Sequence, residues 1–296
     1  TSVGKYAFFA GVLGPDSRQI LDIFDSSTGQ WTVSQLETFF CDLAVSVGKY
    51  ALFASQRRVV VFDSTTLQIV MTTNFSLPRA RMAAASAGKY ALFAGGRTLG
   101  EQDRQSDRVE ILNTETLEWS TSVLERPVEG MVGVSAGGYA LFAGGAYETY
   151  TSQFTSVING SNLVRIFDPS NFRWTTVTMN QGVENLKAVS IGQYAFFGGG
   201  RKPLGSVSNR LEILDTTTMT WLSEQAIPDD IAAAAVGRYA LYGGGQNTYG
   251  ASDLVYVFEL SLPEEVPGTL VTPVVSALSM VNLPTFLVIF GCLACL

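Results

Sequence analysis

The 296-residue chain carries 26 acidic and 19 basic residues, a formal net charge of −7, and is 47% hydrophobic with no histidine. Length and apolar content suffice for one sizeable core, while an acidic chain without a Lys/Arg cluster excludes electrostatic capture of nucleic acid. The missing histidine removes Ser-His-Asp hydrolysis.

The chain opens at Thr1–Gly4 part-way through a small-residue strand, which implies sequence upstream. The phrase Gly-Lys-Tyr-Ala-Leu-Phe-Ala then recurs in close copies whose tyrosines are Tyr6, Tyr50, Tyr90, Tyr139, Tyr194 and Tyr239, spaced 44, 40, 49, 55 and 45 residues apart. Periods of about 40 to 50 residues mark stacked supersecondary units that cannot bury an apolar face alone. Each copy is a short apolar run closed by glycines (Gly95-Gly96, Gly144-Gly145, Gly243 to Gly245), which predicts an inner strand ending where another backbone passes close by. Small-residue runs such as Met82–Ala87 and Ile231–Val236 precede the tyrosines and predict the innermost strand, although propensity alone would make the second a helix.

After each glycine pair comes an alternating run, as in Arg108–Asn113 and Leu163–Asp168, predicted as a third, more exposed strand. A polar turn follows, and six residues past its Asp or Asn stand Trp31, Trp119, Trp174 and Trp221, all four tryptophans of the chain, read as wedges between units. Four strands per unit, small residues innermost and tryptophan near the rim, describe a blade of an all-β β-propeller. Six repeats are visible. Six or seven blades both stay open, because Phe286–Gly291 imitates the inner-strand phrase.

The pattern of a Gly-Gly strand end, an alternating strand ending in Asp, and Trp at the sixth step resembles the kelch repeat over residues 4 to 260. It departs at Ile69, which stands where blade two needs Trp, at Glu265 in blade six, and at Phe24, Phe62, Leu112, Phe167, Leu214 and Phe258, where kelch repeats often carry tyrosine. Copper-radical oxidases that combine kelch repeats with histidine ligands are excluded here. A sialidase-type turn fails in detail at Asp25–Trp31, whose Asp stands first. No catalytic residue, cofactor or metal is expected: Glu101, Asp103 and Asp107 share one loop and Asp229-Asp230 another, without the spacing of a calcium loop. Cys41 reads as an apolar filler, and Cys292 and Cys295 lack a second ligand pair.

Loop length varies most between the glycine pair and the third strand, longest at Ala146 to Asn162, so the face carrying these loops is the expected binding face. Arg79, Arg97, Arg126, Tyr147, Tyr150, Phe154, Arg201 and Tyr249 are its candidate ligand-binding residues, of the types that dominate binding hot spots. Sequons at Asn74 and Asn159 fall in predicted loops as candidate glycosylation sites.

Domain boundaries are placed at 1–262 for the propeller, 263–273 for a polar, Pro-containing linker and 274–296 for an apolar tail. Val266 to Leu296 has no charge, and Asn282 to Leu296 as a helix would span only about 22 Å of a roughly 30 Å bilayer core, so the tail resembles a cleaved lipid-anchor signal or a membrane tail. The expected function is a non-enzymatic recognition propeller, extracellular and membrane-tethered, engaging a protein or glycan. The alternatives are a sugar-processing enzyme resembling the kelch-type sialic-acid mutarotases, or a cytoplasmic kelch-type substrate adaptor with a partner domain upstream.

Overall fold

All six copies of the tyrosine phrase are strands in the computed structural model, and the copies at Tyr50, Tyr90, Tyr139 and Tyr194 are buried on both faces. The structure describes residues 1–13, 18–35, 41–100, 103–151, 156–202, 205–227, 231–247, 250–251, 254–261 and 274–282. Blade one comprises β1 (Ser2–Val3), β2 (Tyr6–Leu13), β3 (Arg18–Asp25) and β4 (Gln30–Gln35). Blade two comprises β5 (Leu43–Val47), β6 (Tyr50–Ala54), β7 (Arg58–Asp63) and β8 (Gln68–Asn74). A connecting strand, β9 (Arg79–Ala80), leads into blade three, built from β10 (Ala83–Ala87), β11 (Tyr90–Ala94), β13 (Arg108–Asn113) and β14 (Glu118–Val123), with β12 (Arg97–Thr98) paired back onto β9.

Blade four holds β15 (Val132–Ala136), β16 (Tyr139–Ala143), β19 (Leu163–Asp168) and β20 (Arg173–Thr178), and a hairpin of β17 (Ala146–Tyr150) and β18 (Ser156–Gly160) rises between its second and third strands. Blade five is β21 (Lys187–Ile191), β22 (Tyr194–Gly198), β23 (Arg210–Asp215) and β24 (Thr220–Ala226). Blade six is β25 (Ala232–Val236), β26 (Tyr239–Gly243), β29 (Leu254–Ser261) and β30 (Val274–Asn282), with the short pair β27 (Gln246–Asn247) and β28 (Gly250–Ala251) between. Six antiparallel four-stranded sheets in a ring make a six-bladed β-propeller, with no α-helix among the described residues.

The alanine runs are strands because the innermost strands lie side by side around the axis, β5 against β10, β10 against β15, β15 against β21 and β21 against β25. At Gly133 in β15 a side chain would collide with the carbonyl of Ala84 in β10. Such spacing admits only small residues, and the packing constraint overrides helix propensity.

Two expectations change. The third strands are not the exposed ones: β7, β13, β19 and β23 are buried almost throughout, and the outer strands β14 and β20 alternate against solvent instead. Residues 274–282, expected as the start of the apolar tail, pair with β29 as the outer strand of blade six, from Ser261↔Val274 to Leu254↔Asn282. An outer strand needs backbone partners on one side only, so a charge-free run across a Pro-rich link serves. Residues 283–296, including the Phe286–Gly291 phrase, lie outside the described residues.

The tryptophan wedges hold for three of four. Trp119 meets Phe75 from the preceding connector at 5.8 Å between ring centroids, the Trp174 indole donates to Ser122 of the blade before at 3.0 Å, and Trp221 packs on the core shared by blades four and five. Trp31 is 52% exposed and rests on Phe9 and Phe24 of its own blade. Trp119→Ala or Trp174→Ala is expected to cost about 3 kcal/mol, and Trp31→Ala less than about 1 kcal/mol. Equal losses in chemical denaturation of all three would separate the tryptophans from the blade interfaces.

One face is uniform. Its turns are pinned by a carboxylate accepting from the chain two residues on, Asp25 from Ser27, Asp63 from Thr65, Asp168 from Ser170 and Asp215 from Thr217. Cations from the neighbouring turn join them, Lys5 to Asp25 at 2.8 Å and Lys49 to Asp63 at 2.7 Å. The Lys5 bond, then Ser27, holds Asp25 down to about 2. Burial opposes ionisation of Asp63, but Lys49 and Thr65 outweigh it and hold this carboxyl at about 2 as well. Both groups sit below their unfolded value of about 3.9, so they stabilise the fold above that pH and the contribution is lost as pH falls toward 2. The melting temperature should drop steeply below about pH 4, and a variant with Asp25→Asn and Asp63→Asn should start lower at neutral pH but lose less on acidification. An unchanged acid slope in that variant would contradict the assignment.

Candidate functional site

The other face carries the second-to-third loops and the blade connectors. Its construction rests on glycine. Gly96 has φ +94, and a side chain there would stand 2.5 Å from the carbonyl of Ala80; at Gly145, φ +93, it would stand 2.7 Å from that of Glu129. Bare backbone lets the connectors pass, and the Gly96 and Gly145 amides donate to Val128 and Val183 of the next connector, both at 2.9 Å. Each connector also pairs with its own blade, Ala80↔Arg97, Glu129↔Ala146 and Glu184↔Arg201. Buried Ser106, Ser161 and Ser208 close the lattice by donating backbone N–H to Gly96, Gly145 and Gly200.

At the inner rim of this lattice Gly130 donates to Arg81 and Asn185 to Gly130. These three successive rim positions all have positive φ, 55° at Arg81, 65° at Gly130 and 57° at Asn185. The Arg81 side chain crosses over Gly130 to Glu184 at 3.1 Å and to Glu129 at 3.4 Å. Arg97 binds Asp103 at 2.6 Å, Glu148 at 3.0 Å and Glu129 at 3.2 Å. Glu148, then Asp103, holds the Arg97 guanidinium still further above its ordinary pKa. Glu129 is 5% exposed, and its Oε2 takes no hydrogen bond, only the longer Arg81 ion pair.

Outward from that charged rim, between blades three and four, lies a cleft of about 700 Å³ lined by Arg104, Gln105, Glu125, Arg126, Pro127, Tyr147, Glu148, Thr149 and Tyr150. The Arg126 guanidinium sits 4.6 Å from the Tyr147 ring centre, a cation–π stack. Gln105 joins the parts, accepting from the Glu148 amide at 2.7 Å and donating to Glu129 at 3.3 Å. From beneath, Arg165 grips Glu125 with Nε at 3.0 and 2.9 Å and Nη2 at 2.6 Å. Burial would raise the Glu125 carboxyl, but Arg165 keeps it below its usual range.

Of the candidates read from the sequence, Arg126, Tyr147 and Tyr150 meet in this cleft and Arg97 anchors its inner wall. Arg201 lies one blade further on, exposed, its backbone paired with Glu184. Arg79 departs from expectation: it is 0% exposed and donates to the carbonyls of Gly95 and Arg108 at 2.5 and 2.6 Å, so it braces the fold from the interior. Burial pushes its pKa down to about 10. Phe154 and Tyr249 lie outside the described residues. The sequons are in strands rather than loops: Asn74 ends β8, exposed, and Asn159 lies in β18, its side-chain amide donating to Thr149 and to the Val157 carbonyl. Gln105, Glu125, Glu148 and Arg165 escaped the sequence reading, because each matters through partners up to 51 residues away. Among the described residues no three His, Cys, Asp or Glu side chains are placed to hold a metal ion.

No family model matches the chain. A search of curated proteins finds no match either. Among solved structures, one described as "Structure of YjhT" is similar at 14% identity and a TM-score of 0.55, over 76% of this chain and 86% of that one. The likeness extends to 685 solved chains, which makes it a statement about the propeller fold and not about an activity.

Proposed function

We propose that the protein is a non-enzymatic recognition propeller of kelch type that binds a protein or glycan through the connector face. It is displayed outside a cell and tethered by residues beyond blade six. The observation that carries the reading is the cleft between blades three and four, where loops from both blades place Arg126 against Tyr147 above a fixed lattice. Its volume of about 700 Å³ suits a small ligand or the anchor of a larger one. The kelch assignment is supported by the glycine pairs, the Asp turns and the three tryptophan wedges.

A second reading, a sugar-processing enzyme resembling the kelch-type sialic-acid mutarotases, is favoured by one observation: Arg81, Arg97, Glu129 and Glu184 converge at the rim around the axis. A panel of glycans and extracellular proteins for capture, run beside a turnover assay on sialic acids, separates the two. Replacing Tyr147 to Asn159 by a short turn, which keeps the lattice residues Ala146 and Ser161, should abolish capture and shift the melting temperature little, since the hairpin beyond the lattice adds little buried core. Capture surviving that deletion, or turnover lost on Glu129→Gln, would overturn the recognition reading. For the tether, a chain ending at residue 282 should unfold as cooperatively as the whole and lose surface attachment, whereas one ending at 262 also loses β30 and melts earlier. Attachment retained in the first truncation would contradict the tether.

A further inference from the structure

Both carboxylates lining the cleft are already engaged from within the protein. Glu125 is gripped by Arg165, which is 1% exposed, and Glu148 is bound by Arg97 at 3.0 Å and by the Tyr150 hydroxyl at 3.2 Å. The cations of the cleft are engaged far less. Among the described residues the Arg104 guanidinium has no hydrogen bond or ion pair, only its backbone being bonded, to Thr98. Arg126 lies 3.9 Å from Glu125, whose oxygens face Arg165, and otherwise stacks on Tyr147. A chain of net charge −7 thus presents two exposed guanidiniums in one concave site, Arg104 without an ion pair among the described residues and Arg126 with a 3.9 Å contact to a carboxylate already gripped by Arg165.

We propose that this cleft binds an acidic saccharide, its carboxylate or sulfate held by Arg104 and Arg126 and a sugar ring laid against Tyr150. This deepens the recognition reading and rests on it. Guanidiniums match planar or tetrahedral oxyanions through paired N–H donors. Tyr150 is 66% exposed and offers a ring face to the C–H surface of a sugar. A saccharide is favoured over an acidic peptide because Pro127 is the one aliphatic side chain among the described residues of the lining. The peptide modes that rely on anchoring side chains need apolar pockets, and the described lining offers none.

Isothermal titration against four probes tests this: trigalacturonate, a sulfated galactose trisaccharide, the neutral galactose trisaccharide and hexaglutamate. The carboxylated or the sulfated sugar should bind, weakening with salt, and the arm that binds names the anion. The neutral sugar and the peptide should bind about tenfold more weakly or not at all, a difference worth about 1.4 kcal/mol. Arg104→Gln and Arg126→Gln should each weaken the acidic sugar by about tenfold at unchanged melting temperature, and Tyr150→Ala should weaken both sugars. Neutral and acidic sugars bound equally, with the arginine variants unaffected, would overturn the anion claim and leave the recognition reading standing. Hexaglutamate bound as well as the sugars would overturn the saccharide. Capture of other members of the broader panel without any acidic probe overturns this inference alone, and capture of nothing overturns both.

Discussion

The structure depends on the close crossing of two backbones at each Gly-Gly strand end. With no side chain at Gly96 or Gly145, the connector between blades is received by an amide on one side and, on the other, by the residue that follows the next blade's glycine pair. Repeated through blades three, four and five, these bonds form a lattice that no single sheet could supply. A buried amide or carbonyl left without a partner is costly, so the lattice fixes the angle between blades as firmly as the apolar wedges do. It also explains the paired glycines, since an added Cβ would force the connector away from its donors.

That constraint divides the ring into two unlike faces. On the turn face, short turns capped by Asp in blades one, two, four and five and by Asn113 in blade three close the blades in nearly the same way, leaving little room for variation. On the connector face the lattice fixes where each loop leaves and returns, and the segment between can grow without disturbing the blade. Blade two spends a few residues there, and blade four raises a hairpin. Charged side chains then take positions that the repeat leaves free: Arg97, Glu148 and Arg126 stand on the lattice rather than in it. The buried charges beneath, Arg165 above all, orient the exposed ones and decide which of them remain available.

Much of this was legible in the sequence because the repeat writes it locally. Tyrosine spacing, glycine pairs and tryptophan at the sixth step sit within a few residues of the strands they define, and they identify four-stranded blades without any long-range information. What was not legible depends on partners distant in the chain. Arg79 looks like a loop arginine, yet it occupies the place held by Val128 in the next connector and is buried among carbonyls. Arg165 reads as the solvent side of an alternating strand until Glu125, 40 residues earlier, is placed over it in the cleft wall. The run at 274–282 has the composition of a tail, and only its pairing with β29 shows it as a strand. Trp31 carries the same local signature as Trp119, yet it rests on rings of its own blade and stays half exposed, a difference the local pattern does not write.

The central claim is that a rigid backbone lattice supports adaptable recognition loops on one face, and native-state hydrogen exchange read at single amides tests it most directly. The amides of Gly96 and Gly145 should exchange only through global unfolding, whereas those of β17 and β18 should exchange through local opening at much lower free energy. Glycine amides that exchange as readily as the hairpin would contradict the account, because the connectors would then not be fixed and the cleft would have no stable floor.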